Sequence, residues 1–324
     1  MKPTRVVMTG ATGFIGSAVL GELTRYRNDR GESQGNDLCL RVLGRRPPDS
    51  AAAQADQWVQ ADLTQPDALR GVCEDADVLL HMAALVSSDA SQCEAVNVRG
   101  TAALMNEAAR AGVSRIVHLS TAAVYGPGPH RGIAVNEVAP SPVSAASRSR
   151  LAGEAHALAA GAVVLRPGLV LGRGDRWVVP ALAELLEAVP ALWDGGKGQL
   201  SVVAVDDLAR LVACLALVSP LPGGVHHASH PVPVSTGELL RTLAQHRVLP
   251  RLPSPLPWDQ CLTLLRSAHT RVSERQFALL VRDHWYESRE VWRIAKCSPG
   301  PGPLVRLAEA APWYRSILAA RPEA

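Results

Sequence analysis

Along the first half of the chain, short runs with almost no polar residue alternate with longer stretches whose apolar positions recur every three or four residues. RVVMTG (5–10), LCLRVLGR (38–45), WVQADL (58–63), DVLLHMAA (77–84), RIVHLSTA (115–122) and AVVLRPGLVLG (162–172) read as buried strands. FIGSAVLGELTRY (14–26) and EAVNVRGTAALMNEAARAG (94–112) have helical spacing, and the polar RNDRGESQGND (27–37) predicts an extended surface loop. A strand that is apolar at every position needs cover on both faces, and strands alternating with helices obtain it in a parallel sheet. From about 173 onward the pattern loosens. Helices are predicted near 177–190 and 236–247, with breaks at PLPGG and PRLPSPLP, while SVVAVDDLARLVACLALV (201–218) reads as a strand and helix returning to the first unit.

The expected class is therefore α/β. Right-handed crossovers make the sheet a Rossmann-type doubly wound parallel one, with a smaller, mostly helical C-terminal substrate-binding region. The boundaries read as 1–172 for the nucleotide-binding domain, with 201–218 returning to it, and 173–324 for the cap. A chain of 324 residues suffices for both.

Composition excludes more than it adds. The chain is 47% hydrophobic and 19% charged with a net charge of +3, and no Lys/Arg run marks a nucleic-acid groove. Thirty of the 33 basic residues are arginine; the lysines are Lys2, Lys197 and Lys296. No apolar run approaches a membrane span, and strand-like residues begin at once, so neither membrane association nor a signal peptide is expected. Cys39, Cys73, Cys93, Cys214, Cys261 and Cys297 are scattered without a C-x-x-C pair and read as reduced thiols of a cytoplasmic protein. In HHASH, His226 and His230 lie four apart, but no carboxylate or cysteine lies beside them, and no metal is expected.

TGATGFIG (9–16) closes the first strand and opens the first helix, the context in which a glycine pattern carries information. Gly10 permits the tight turn, Gly13 lets the backbone approach a pyrophosphate, and Gly16 lets helix and sheet pack closely. With Thr12, Phe14 and Ile15 they form the candidate cofactor cradle at a helix N-terminus. In VLGRR, Gly44 sits where an acid would hold a ribose 2′-hydroxyl, and Arg45 and Arg46 follow. Arginine suits a 2′-phosphate, so NADP(H) is favoured over NAD(H).

With these motifs the chain resembles the extended short-chain dehydrogenase/reductases, the NAD-dependent epimerase/dehydratase family. The resemblance implies that Asp62 and Leu63 in ADL touch the adenine, and that HMAA (81–84), with Ala83, passes beside the cofactor. It further implies that Asn97 in NVRGT steadies the site and that Thr121 in STAAVYG is the catalytic Ser/Thr. LRPGLVLGRGD (165–175) and VAVDDLA (203–209) resemble later landmarks, where Asp206 and Asp207 read as a helix N-cap and a structural marker. The family also uses a tyrosine followed four residues later by a lysine. Aligning SRLAGE with the family's S-K-x-x-x-E puts Ala146 and Arg150 at those places. Arg150 could hold the ribose hydroxyls, but it cannot shuttle a proton. Tyr26, Tyr125, Tyr286 and Tyr314 are all remote in sequence, and Tyr125 has a structural place in the family. The Asp-Glu pair of the family's sugar-nucleotide dehydratases is replaced by Ala122 and Ala123. The place of an arginine for a nucleotide diphosphate falls on Leu200. Trp177 and Trp193 in the cap fit a smaller or more apolar substrate.

The candidate catalytic residues are Thr121, Arg150 and His130, the last with an ordinary pKa of about 6.5 suited to acid–base work, although PGPHRG also reads as an exposed loop. Ser144, Ser147 and Ser149 lack an activating partner, and His81, His118 and His156 read as core or outward-facing. One reading is a reductase or epimerase of secondary metabolism, such as antibiotic biosynthesis, acting on a small non-nucleotide intermediate without the usual dyad. A second is a non-redox cyclase, dehydratase or isomerase with a structural cofactor, and a third is a catalytically silent cofactor sensor. Helices 94–112 and 148–160 could pair in a homodimer.

Overall fold

In the computed structural model, residues 3–30, 38–46 and 55–320 are described. A seven-stranded parallel sheet forms the centre: β1 (Thr4–Thr9), β2 (Leu38–Gly44), β3 (Gln57–Gln60), β4 (Val78–His81), β5 (Arg115–Leu119), β6 (Val163–Arg166) and β7 (Gly224–His227). Its spatial order is β7-β6-β5-β4-β1-β2-β3, a doubly wound arrangement that reverses direction at β1 and β4.

The unbroken apolar strands now have a physical reason. Val6 and Met8 of β1, Val78 and Leu80 of β4, and Val163 and Leu165 of β6 face one core, while Val7, Leu79 and Val164 between them face another. Alternate side chains leave a strand on opposite sides, so burial on both faces removes the polar positions altogether. The helix Phe14–Arg30 covers the first face and packs along the helix Val205–Leu217, whose Leu208, Leu211, Val212 and Leu215 fill the same core. On the second face, Leu104, Met105 and Ala108 of the helix Thr101–Arg110 close the core. That helix is preceded by Ala90–Cys93 and by a π-helical stretch, Glu94–Gly100, which carries Asn97. Helix Ala145–Ala159 packs against it within the chain.

Several elements differ from the sequence expectation. The first helix continues to Arg30 where a loop is predicted, and the rest of that loop, 31–37, lies outside the described residues. WVQADL is strand only to Gln60, which leaves Asp62 and Leu63 in the connection after it. AVVLRPGLVLG is not one strand. It breaks at Pro167 and Gly168, and Leu169–Leu171 pairs instead with Val202–Ala204 in a separate two-stranded sheet. Gly168 allows this crossing, because a Cβ there would lie 2.3 Å from the Ser201 carbonyl oxygen. The last sheet strand is GVHH, which takes in only His226 and His227 of HHASH, and the helix Arg289–Ile294 buries Val291 and Trp292 in the first core, so a second stretch of the C-terminal half joins the sheet.

The cap builds its own core around Trp193, Phe277 and Tyr314. Asp175 ties it to the sheet's end: its carboxylate accepts from the backbone N–H of Trp177, Val178 and Val179, which starts the helix Val178–Ala188, and from the Tyr314 hydroxyl at 3.1 Å. Asp206 and Asp207 are not the N-cap of their helix. Ala204 holds that place, and Asp207 instead pairs with Arg210 at 3.0 Å and Arg306 at 3.1 Å. Among the described residues no helix is long and apolar enough to cross a membrane, and no group of three or more metal-ligating side chains gathers.

Candidate functional site

The sheet's reversal point opens a cavity of about 450 Å³ at the carboxyl ends of β1, β2 and β4. Gly10 makes the turn out of β1 with φ +72°, and a Cβ there would lie 2.6 Å from the Ala83 nitrogen. Only glycine therefore allows β1 and β4 to end side by side. At Gly16 a Cβ would lie 2.0 Å from the Gly10 oxygen, so the helix start is drawn onto the loop. Gly10, Thr12 and Gly13 line the cavity, and no acidic residue sits in the first helical turn to oppose an anion. Phe14 and Ile15 pack on the core behind the loop rather than lining the cavity.

Arg45, Asp62, Leu63 and Ala83 also line it. Arg45 is exposed at the rim. The backbone N–H of Thr64, at 2.9 Å, holds the Asp62 carboxyl below the usual range; burial opposes this, and the Thr64 hydroxyl and the Arg45 charge add to it. Gln92 and Val96, from the helical segment after β4, complete a wall that the motifs do not mark. Their only sequence signal is their spacing of four, one helical turn, in the segment before NVRGT.

Beside this cavity lies the segment SAASRSRLAGE (144–154). Ser144 caps the helix Ala145–Ala159 and shares a capping box with Ser147, so both hydroxyls serve the helix end. Asn97 bonds both backbone groups of Leu85 and donates to Ser149 Oγ at 2.9 Å, which braces the loop after β4 against this helix. Thr121 Oγ1 accepts from the Ala123 N–H at 3.2 Å and retains its own proton to donate. Arg150 aims its guanidinium at the end of β5, where Nη2 donates to the Leu119 and Ser120 carbonyls at 2.8 and 2.7 Å. Its Nε is buried without a partner among the described residues. Burial pushes its pKa down to about 10, partly opposed by Glu154, so it stays charged at neutral pH. Ala146 is 9% exposed and supplies no proton.

Beneath these groups runs a buried polar chain. Ser120 hydrogen-bonds Glu154, and Glu154 forms an ion pair with Arg166. Arg166 Nη1 donates to the Tyr125 hydroxyl at 2.8 Å, which lies 2.8 Å from His227 Nε2. His227 Nδ1 meets the Glu287 carbonyl at 3.1 Å, and a carbonyl can only accept. Nδ1 therefore carries the proton, Nε2 accepts, and Tyr125 donates to it. Burial drives the His227 pKa down to about 4, which fits that neutral ring.

His130 belongs to this underlayer. It is not an exposed loop residue but the buried first residue of the strand His130–Ile133, with its ring 5.9 Å from Tyr125 and 5.6 Å from His284. Burial lowers its pKa. The structure thus brings Thr121 and Arg150 to the end of β5, while His130 packs among the aromatic rings below. His81 and His118 are buried on adjacent strands, and His156 faces outward. Trp193 packs on Phe277 in the cap core, whereas Trp177 is 70% exposed. Leu200 is buried in the strand Gln199–Leu200.

Residues 6–221 match the model of the NAD dependent epimerase/dehydratase family. Among curated relatives, a 4-hydroxy-2-methyl-3-oxo-4-farnesyl-3,4-dihydroquinoline-1-oxide ketoreductase of Stigmatella aurantiaca is 26% identical over 74% of this chain and 72% of its own. An uncharacterized protein of Sinorhizobium fredii is 28% identical over 65% of this chain, and sterol demethylase protein B of Methylococcus capsulatus is 38% identical over 38% of it. These matches span 52% and 36% of those two relatives' lengths. Among solved structures, MoeE5 in complex with UDP-glucuronic acid and NAD superposes with a TM-score of 0.72 at 23% identity, covering 97% of this chain and 99% of that one. The UDP-glucose-4-epimerase of Stenotrophomonas maltophila does so with 0.74 at 18%, covering 98% and 100%. The sheet order, the glycine turn and the family match lead to one conclusion: the chain belongs to the NAD dependent epimerase/dehydratase family.

Proposed function

We propose that this protein binds NADP(H) in the cavity at the reversal point and acts, as a reductase or epimerase, on a carbonyl or hydroxyl of a small non-nucleotide intermediate of secondary metabolism. The observation that carries the proposal is the cavity itself: glycine-lined at the helix N-terminus, free of acid in the first turn, with Arg45 at its rim. Such a donor set fits a dinucleotide. Gly10, Thr12 and Gly13 would hold the diphosphate, Asp62 and Leu63 the adenosine, and Arg45 the 2′-phosphate. MoeE5 and the Stenotrophomonas epimerase carry NAD by their descriptions, which supports the site. The ketoreductase relative and the buried Leu200 support a carbonyl compound over a nucleotide sugar.

When bound, the nicotinamide would supply or accept hydride. This chain's residues do the remainder. The Thr121 hydroxyl donates to a substrate oxygen, and Arg150 fixes the β5 carbonyl end that presents Thr121 and adds positive charge there. With Ala146 inert and His130 set below, the proton comes from water held at Thr121.

One observation favours a second reading. The guanidinium of Arg150 is engaged with main-chain carbonyls, which suits a non-redox cyclase, dehydratase or isomerase whose cofactor is structural. Fluorescence and calorimetric titration with NADPH and NADH tests the proposal. NADPH should bind more tightly, and Arg45→Ala should weaken it about tenfold while leaving NADH unchanged, the size of one charge-assisted hydrogen bond. Absence of binding to either nucleotide overturns it. NADPH binding without turnover of any carbonyl substrate leaves the non-redox reading standing.

A further inference from the structure

Away from the cofactor cavity, two half-buried thiols meet. Cys214 lies near the end of the helix Val205–Leu217, and Cys297 lies just beyond the helix Arg289–Ile294. Their positions are separated in sequence but fixed in space by two local devices. The second helix ends with Lys296 in the left-handed region at φ 51°. The N–H of Lys296 then bonds the Arg293 carbonyl and that of Cys297 bonds the Trp292 carbonyl, the pairing of a Schellman turn. This turn sets the Cys297 backbone rigidly.

The second device is Arg210. It precedes Cys214 by four residues and so shares its helix face. Arg210 Nη2 donates to the Ser298 carbonyl at 2.7 Å, and Nη1 pairs with Asp207 at 3.0 Å. The segment carrying Cys297 is thereby tethered to the helix one turn from Cys214, where both side chains pack against the same core and each thiol shifts the other's titration.

We propose that Cys214 and Cys297 form a reversible disulfide by exchange with a small-molecule disulfide such as oxidised glutathione, which makes this pair a redox modification site. Cys297 is the attacking thiol. The neighbouring Cys214 thiol and the Arg210 guanidinium hold its pKa well below the usual thiol range, against the effect of burial. The same contact pushes Cys214 upward, which keeps that thiol protonated. A thiolate is the nucleophile of the exchange. Cys297 Sγ bonds to one glutathione sulfur, the glutathione disulfide bond breaks, and the first glutathione leaves as thiolate. Cys214 Sγ, giving its proton to water, then bonds to Cys297 Sγ and expels the second. Two protein thiols lose two electrons and two protons, and one glutathione disulfide is reduced to two thiols. The bond staples the C-terminal half of the chain onto the helix that packs along Phe14–Arg30 behind the cofactor loop.

The test uses the full-length protein. It is incubated with reduced and oxidised glutathione at a series of ratios, its free thiols are alkylated, and tryptic peptides are read by mass spectrometry. Trypsin places Cys214 in 211–241 and Cys297 in 297–306. The expected result is a cross-linked pair of these two peptides, released by dithiothreitol, while the buried Cys73 and Cys261 stay reduced and are alkylated once the protein is denatured. In Cys214→Ser the reaction should stop at one glutathione on Cys297, and in Cys214→Ala, which removes the donor, alkylation of Cys297 at neutral pH should slow about tenfold. Wild-type protein that keeps both thiols free, or that accumulates glutathione on Cys297 without the cross-link, overturns the proposal, and that outcome needs no variant to fold.

Discussion

Residue 150 carries a guanidinium, and that group sets what the position can hold. A guanidinium offers five donors in a fixed fork, so it can bridge two carbonyls at once as Arg150 does at Leu119 and Ser120. Arg150→Met leaves both without that donor, and a loss of about 1–3 kcal/mol is expected in urea unfolding. Arg150→Lys should recover part of it. A variant as stable as the wild type would show that the bridge contributes nothing. Four residues on, Glu154 is buried with Arg166. Glu154→Gln strands a buried cation and should cost about 3–5 kcal/mol, whereas Glu154→Leu with Arg166→Met should cost clearly less than the two single changes added. Additive losses in that cycle would show that the pair is not coupled.

Among the elements, β4 and β5 place His81 and His118 as register partners with rings 5.0 Å apart. Thr9 and Thr101 hydrogen-bond the two nitrogens of His81, and burial pushes its pKa down to about 4. The unfolded side chain titrates near 6.5, so the unfolded state takes up a proton that the folded ring refuses. Stability is full above about pH 6.5 and falls as pH drops toward 4. Going from pH 7.5 to 5.5 should cost about 1.4 kcal/mol for His81 and a similar amount for His227. Urea midpoints at the two pH values check this, and a His81→Gln variant with an undiminished pH dependence would refute it. The strands themselves were legible because two-sided burial makes the middles of β1, β4 and β6 continuously apolar, at Val6–Met8, Val78–Leu80 and Val163–Leu165. The glycine turn was legible because each glycine answers a close approach. The break at Pro167 was signalled by the Pro-Gly pair inside the apolar run, but which strand Leu169–Leu171 would join depends on a partner more than thirty residues later. His130 shows the opposite failure. PGPHRG has turn composition, yet Tyr125, Tyr286 and His284, two of them over 150 residues away, bury the ring. Neither the buried chain from Ser120 to His227 nor the Cys214–Cys297 contact leaves a local pattern, since each joins residues from different elements.

For the molecule as a whole, the sheet is not the property of the first 172 residues. Its outer strand β7 and the Trp292 side chain that bonds the Ser229 carbonyl come from the far end of the chain. A protein cut after residue 221, where the family match ends, should therefore lack a closed core. Such a fragment is expected to aggregate or to bind a hydrophobic dye. A soluble fragment with native near-ultraviolet dichroism would refute the interlocking. The same feature acts in time. About 60 residues separate the end of β6 from the end of β7, which takes roughly 3–12 s to synthesise at about 5–20 residues per second. During that interval the nascent chain presents β6 as an unpaired edge, apolar from Val163 to Leu165, the kind of template on which neighbouring chains pair. Slowing the ribosome within that stretch should lower soluble yield without altering the finished protein, because the hazard ends when β7 arrives.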